Sequence, residues 1–95
     1  MNPAKVDRNN LKTLTDLPNI GRAMVEDLYL LGIRDPQDLV GRDPLLLYQD
    51  LCAITQVRHD PCVLDVFISI VDFVNGGPPR PWWYFTPQRK ADHNI

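Results

Sequence analysis

The sequence predicts an all-α domain of about five short helices followed by an extended, aromatic C-terminal tail. Three observations predict this class. Apolar residues recur mostly at helical spacing. The pair Asp-Pro, in which aspartate caps a helix and proline takes its first position, occurs at residues 35, 43 and 60. No stretch shows the apolar–polar alternation of a strand over a convincing length.

The composition fits one domain, residues 1–95, with 44% hydrophobic and 23% charged residues. We divide it into a hairpin core (10–34), C-terminal helices (35–75) and an aromatic tail (76–95). No apolar run approaches the ~20 residues of a membrane span, and the first ten residues resemble no secretory signal. We therefore expect a cytoplasmic protein.

The sequence of the hairpin core predicts two helices joined by a tight turn. Asn9 or Asn10 can cap a first helix, which ends before Pro18. The second helix begins near Gly21 and stops at Gly32, after which the chain returns to the core.

The three Asp-Pro pairs predict a short helix up to Gly41, a fourth helix after residue 44, and a long apolar one over residues 62–74. The polar residues of this last helix are spaced to form one narrow solvent stripe: Asp65, Ser69 and Asp72. Such a helix is either central to one chain or half covered by a second copy. A homodimer through residues 62–74 is thus a possible arrangement.

The tail, residues 76–95, holds half of the aromatic side chains, although glycines and prolines separate it from the last helix. Two roles are open for Trp82 and Trp83. They fold back over the apolar helix, which we expect, or they and Tyr84 offer rings on which nucleic-acid bases stack, while Arg80, Arg89 and Lys90 contact phosphates.

The turn between the first two helices carries the candidate site. A helix that begins at Gly21 leaves its first N–H groups without partners, in a field of about half a positive charge. Glycine also lets a phosphate oxygen approach closely. The predicted phosphate-binding residues are Lys12, Asn19, Gly21, Arg22 and Ala23. The alternative is that the turn serves helix packing alone.

Charge is distributed unevenly. The net charge is −2 overall, made up of +1 in residues 1–34, −5 in residues 35–75 and +2 in residues 76–95. An anionic ligand should therefore bind at the hairpin or the tail, and the affinity for nucleic acid should be low.

The segment Leu17-Pro18-Asn19-Ile20-Gly21, with Leu28 and Gly32-Ile33 after it, resembles the helix-hairpin-helix motif of DNA-repair and recombination proteins. That motif usually reads Leu-Pro-Gly-Ile-Gly and binds the DNA backbone without sequence preference. Asn19 departs from it, but asparagine is the best choice after glycine for the left-handed backbone that we expect at this position. DNA glycosylases with this motif carry a catalytic lysine two positions after the final glycine, where this chain has Ala23. The resemblance therefore does not imply glycosylase activity.

A wider resemblance adds Asp35 to Leu39, Leu47-Tyr48, Asp60 to Phe67 and Trp82-Trp83. With these segments the chain is similar to the small bacterial pathogenicity-locus helix-hairpin-helix family, whose members are often labelled mitomycin-resistance proteins. This resemblance implies a SAM-like fold and a DNA-related role but no reaction. The hairpin half also resembles the C-terminal domain of bacterial competence regulators, where a similar fold need not touch DNA.

We expect no enzyme, no cofactor and no metal. The spacing of Cys52, His59 and Cys62 matches no zinc pattern. We expect both thiols to be reduced, although the start of a helix would lower the pKa of Cys62, which leaves a redox role or a disulfide open. The function we expect is weak, sequence-nonspecific DNA backbone binding related to DNA damage. The alternative is a protein-interaction or dimerisation module of the same fold.

Overall fold

The computed structural model describes residues 1–95, which form four α-helices, five 3-10 helices and no strand. The α-helices are α1 (Arg22–Leu30), α2 (Pro44–Thr55), α3 (Pro61–Val74) and α4 (Thr86–His93). The 3-10 helices span Pro3–Lys5, Arg8–Asn10, Leu14–Asp16, Pro36–Leu39 and Trp82–Phe85. The predicted all-helical class is confirmed. None of the helices combines the length and the apolar character that crossing a bilayer requires.

Helix α3 is the centre of the fold. Nine of its 14 residues are buried, and it packs against α2, α4 and the turns Pro36–Leu39 and Trp82–Phe85. Of the two arrangements open from the sequence, the central helix of one chain is therefore the one found. Little of its surface remains for a second copy, and a homodimer through residues 62–74 stays a prediction.

The three Asp-Pro pairs begin helices as predicted. The Asp43 carboxylate accepts a hydrogen bond from the N–H of Leu45 at 2.9 Å, and the Asp60 carboxylate accepts one from Cys62, also at 2.9 Å. Asp35 begins only a single 3-10 turn, closed by a reciprocal capping box with Asp38. Each pair thus satisfies the first amides of its helix with the chain's own carboxylates.

The end of α1 also follows the prediction. Gly32 adopts a left-handed backbone with φ +79°, which costs glycine little. Beyond it, the N–H of Ile33 donates to the carbonyl of Leu28 at 2.9 Å, and both side chains are fully buried.

The helix predicted to follow residues 9 and 10 is wrong: only the 3-10 turn Leu14–Asp16 forms there. Two local effects shorten it. The Asp16 carboxylate accepts hydrogen bonds from the N–H groups of Lys12 and Thr13, both at 2.9 Å, which fixes the start. At the other end Leu17 is extended, with ψ 151°, as a residue before proline prefers to be.

The polar stripe predicted to face solvent on α3 is also wrong. Asp65 and Ser69 are buried, and Asp72 is half-buried. Helix α4 supplies the donors to Asp65: Arg89 Nε lies 2.9 Å from one of its oxygens and Thr86 Oγ1 lies 2.7 Å from the other. Ser69 Oγ instead accepts from the side-chain amide of Asn19 at 3.0 Å. A buried carboxylate needs such partners, because desolvation would otherwise destabilise it strongly.

The tail is helical rather than extended, since Trp82–Phe85 and α4 follow the proline-rich break. Trp82 is half-buried and packs against the core, so the predicted covering role is confirmed for this residue. Phe85, for which no role was predicted, is buried. Trp83 and Tyr84 are 61% and 54% exposed and cover nothing completely.

Candidate anion site at the start of α1

The candidate site is the corner formed by residues 17–24, where the chain turns into α1. Leu17, Pro18 and Ile20 are buried and anchor it to the core. Asn19 has φ +67°, which confirms the left-handed backbone expected at that position. The corner therefore presents backbone groups on a fixed frame.

The first amides of α1 have no acceptor in the chain. The helix's first backbone hydrogen bond runs from Val25 to the carbonyl of Gly21 at 3.2 Å, and no protein atom accepts from the four preceding N–H groups. These belong to Gly21, Arg22, Ala23 and Met24. No acidic side chain stands in the first turn, and residues 21–23 are exposed. The amides are thus available to an external anion.

Gly21 has no conformational need to be glycine. Its φ of −104° is accessible to any residue, and a Cβ placed there would meet no atom within 4 Å. Local geometry therefore gives no support to the alternative in which Gly21 serves packing alone. What a side chain would change is access to the amides.

Asn19 does not belong among the phosphate-binding residues, which corrects the prediction. Its N–H donates to the carbonyl of Met1 at 2.8 Å. Its side-chain amide donates to Ser69 Oγ at 3.0 Å and to the carbonyl of Arg80 at 2.8 Å. All its donors are engaged within the chain, so Asn19 positions the corner and offers no free donor.

Met1 satisfies the carbonyls of the corner. Its α-amino group donates to Leu17 O at 2.8 Å and to Ile20 O at 2.7 Å. Burial lowers the pKa of this group from its ordinary value of 8.0, while the charge of Asp16 opposes that shift. The carbonyls are therefore closed inside the chain while the amides of α1 stay open.

Two predicted basic residues flank the corner. Arg22 is exposed and forms neither a hydrogen bond nor an ion pair through its side chain. Lys12 is exposed near Asp16, whose pKa is lowered by hydrogen bonds from the N–H groups of Thr13 and Lys12 and, to a smaller extent, by the Lys12 charge. Arg22 is thus free to contact a ligand at the corner, whereas the Lys12 charge is partly neutralised.

A shallow groove of about 520 Å³ opens beside the corner. Its lining residues are Met1, Asn2, Pro3, Asn19, Ile20, Gly21, Trp82 and Trp83. None of them is acidic, although the chain carries 12 acidic residues. The exposed Trp83 therefore shares this groove with Gly21, the residue that precedes α1. The sequence suggested base stacking in the tail as one alternative but gave no signal that the tail meets the corner.

The thiols lie away from the corner and lack a catalytic environment. Burial, reinforced by the Asp60 carboxylate, raises the pKa of Cys62 above its ordinary value, so the predicted lowering is wrong. Both Cys52 and Cys62 are free. The His59 ring is 2.9 Å from Thr55 Oγ1, and no three His, Cys, Asp or Glu side chains converge as metal ligands.

Comparison with known proteins identifies the class. The model of the family described as "Pathogenicity locus" matches residues 7–91, and the chain therefore belongs to that family. It is 44% identical over 77 residues to the "Mitomycin resistance protein McrB" of Streptomyces lavendulae. The match covers 81% of this chain and 73% of that protein. No solved structure matches.

Proposed function

We propose that this chain is a small helix-hairpin-helix module that binds the DNA backbone weakly and without sequence preference. The observation that carries the proposal is the set of four successive amides at the start of α1 that the chain leaves without an acceptor. A phosphate oxygen is the natural acceptor there, because it accepts several hydrogen bonds and is attracted by the helix dipole.

The contacts are few. The amides of Arg22 and Ala23 and the guanidinium of Arg22 reach one or two phosphates, and Lys12 adds long-range attraction. Two or three phosphate contacts correspond to a slope of roughly −2 to −3 in a plot of log K against log salt. Affinity should then fall roughly 10- to 60-fold between 50 and 200 mM salt.

The charge distribution favours this face of the molecule. Residues 35–75 carry a net charge of −5 and repel a polyanion, whereas residues 1–34 carry +1. DNA therefore approaches the corner with the acidic middle turned away. Binding, rather than catalysis, is the activity we propose, with no cofactor.

The name of the Streptomyces lavendulae relative concerns mitomycin resistance. We propose that this chain serves a similar protective role, in which contact with DNA is related to damage. The name does not state a reaction, and we propose none.

The decisive variant is Gly21→Asp. Aspartate at this position is a preferred helix cap and should raise helix stability by a few tenths of a kcal/mol over glycine. Its carboxylate occupies the amides and repels phosphate. Fluorescence anisotropy with a labelled duplex at 50 mM salt should show at least about a tenfold loss of affinity. Binding unchanged by Gly21→Asp contradicts the proposal, as does no binding by the parent chain.

Two controls separate local from global effects. Gln49→Glu adds the same charge on the exposed surface of α2 and should change affinity little. Arg22→Gln should weaken binding and make the salt slope shallower by about one unit, whereas Arg42→Gln, an equal loss of charge in the acidic middle, should have a smaller effect.

The alternative function, a protein-interaction module, is favoured by apolar side chains exposed on α2. Leu46, Ile54 and Val57, at the helix and just beyond its end, are 55%, 52% and 58% exposed. Apolar side chains exposed on one element are candidates for a contact surface, which requires that they form one contiguous patch. Light scattering after size-exclusion chromatography tests this function: a dimer that dissociates in Ile54→Asp supports it, and a monomer that captures no partner counts against it.

A further inference from the structure

We propose that the groove beside the corner takes an unpaired nucleobase on Trp83, so that the ligand is single-stranded DNA or a duplex with unpaired nucleotides. This inference rests on the proposed function, because the phosphate next to that base would occupy the open amides of α1. The observation that carries it is that Trp83 and Gly21 line the same groove.

Trp83 is the one exposed aromatic ring that no cation covers. Arg80 lies over the Tyr84 ring at 4.1 Å, and Arg34 lies over the Tyr29 ring at 5.4 Å. The third exposed aromatic side chain, Trp83, has no such partner and is 61% exposed. Its ring is available for stacking, whereas the other two are engaged with arginines.

The Trp83 ring is also held in place. It packs on Trp82 in an edge-to-face geometry, with centroids 5.5 Å apart and an interplanar angle of 85°. Trp82 is half-buried and belongs to the turn that packs on α3. A ring fixed before binding loses little conformational freedom when a base stacks on it.

Charge and shape select a nucleotide as the occupant. A second groove of about 580 Å³ is also lined by Trp83, together with Asn2, Pro3, Ala4, Val6, Pro79 and Pro81. Like the first groove, it contains no acidic residue. An aromatic wall next to open amide donors matches a planar base joined to a phosphate. A paired base in a duplex presents no free face to such a wall, which is why we infer an unpaired nucleotide.

The test compares a labelled 12-nucleotide oligothymidylate with a blunt 12-base-pair duplex, by anisotropy at 50 mM salt. Trp83→Ala should weaken single-strand binding roughly 5- to 100-fold, the range of one base–aromatic stack, and leave duplex binding unchanged. Trp83→Phe should restore part of the loss. Tyr84→Ala is the matched control, since it also removes an exposed aromatic ring, and it should change neither affinity.

The outcomes separate the two proposals. If Trp83→Ala weakens both ligands equally, or neither, the stacking inference is overturned. The backbone-binding proposal then survives provided that Gly21→Asp still abolishes duplex binding. If the single strand binds and depends on Trp83 but not on Gly21, stacking stands and the corner is not the phosphate site. Thermal unfolding of each variant confirms that the exposed substitutions leave the fold intact.

Discussion

The first backbone N–H groups of α1 and of α3 differ in whether the chain supplies an acceptor for them. At α3, Pro61 removes one donor and the Asp60 carboxylate accepts from the N–H of Cys62 at 2.9 Å. At α1, Gly21 supplies no side chain, and four successive amides stay open. An external anion can bind only where the chain supplies no carboxylate of its own. The difference between an aspartate and a glycine at one position therefore separates a structural helix start from a candidate binding site.

The same contrast extends into the body of each helix. Two polar side chains of α3, Asp65 and Ser69, are buried, and Asp65 is paired with Arg89. On α1 the polar side chain next to the open amides, Arg22, stays exposed and unpaired. Helix α3 thus contributes stability, and the start of α1 contributes a surface.

The largest expected effect is on stability, at the buried pair of Asp65 and Arg89 between α3 and α4. Asp65→Ala leaves the guanidinium of Arg89 buried without its carboxylate and should lower the free energy of unfolding by about 3–5 kcal/mol. Urea unfolding followed by circular dichroism measures it. Asp50→Ala, which removes an exposed aspartate from α2, is the control and should cost far less. A loss below about 1 kcal/mol for Asp65→Ala would mean that the pair does not hold α4 on α3.

A smaller effect is expected when a closed helix start is opened. Asp43→Ala removes the cap of α2 and should cost about 1 kcal/mol of stability, which Asp43→Ser should largely restore. Duplex affinity should not rise, because residues 35–75 carry a net charge of −5. A gain in DNA binding at this start would show that open amides alone are sufficient, without the electrostatics of the corner.

Acid should weaken the capped turns. Hydrogen bonds from backbone N–H groups lower the pKa values of Asp16, Asp38 and Asp60 below the ordinary value of 3.8. The unfolded chain then binds more protons than the folded one across this interval, so stability rises with pH there. The stability that these three carboxylates contribute is fully present above pH 3.8, the ordinary pKa of aspartate. It is lost as the pH falls through the lowered pKa values of the folded chain. Melting temperatures at successive pH values should drop in that interval, and less steeply in Asp60→Asn.

The smallest effect concerns the thiol at the start of α3. Burial and the Asp60 carboxylate raise the pKa of Cys62, so its alkylation by iodoacetamide at neutral pH should be slower than that of a free cysteine. Asp60→Asn removes the carboxylate and should speed the reaction modestly. Mass spectrometry of the Cys62 peptide follows the rate, and an unchanged rate would assign the whole shift to burial.

Features with local causes could be predicted from the sequence. Aspartate before proline fixed the starts at residues 36, 44 and 61, and Gly32 ended α1, because capping depends on neighbours in the chain. The burial of Asp65 and Ser69 could not be predicted. Their partners Arg89 and Asn19 lie 24 and 50 residues away in sequence, and only packing brings them together.

In the candidate site, too, the features with local causes could be predicted, and those that depend on distant segments could not. Gly21, Arg22 and Ala23 lie at a helix start that a local motif announces, and the structure leaves their amides open. Asn19 was assigned the correct backbone but the wrong role, since its side-chain partners come from distant segments. Trp83 enters the site for the same reason, because the chain's end folds back beside its beginning.

The side chain of Asn19 has a consequence for the size of the working unit. One amide group holds the hydroxyl of Ser69 and the backbone of Arg80 at once, so the first quarter of the chain is shaped partly by the last. A peptide of residues 10–34 would contain the residues of the motif but lack the segments that orient them. We therefore expect the corner to lose its geometry in any fragment that lacks Ser69 and Arg80.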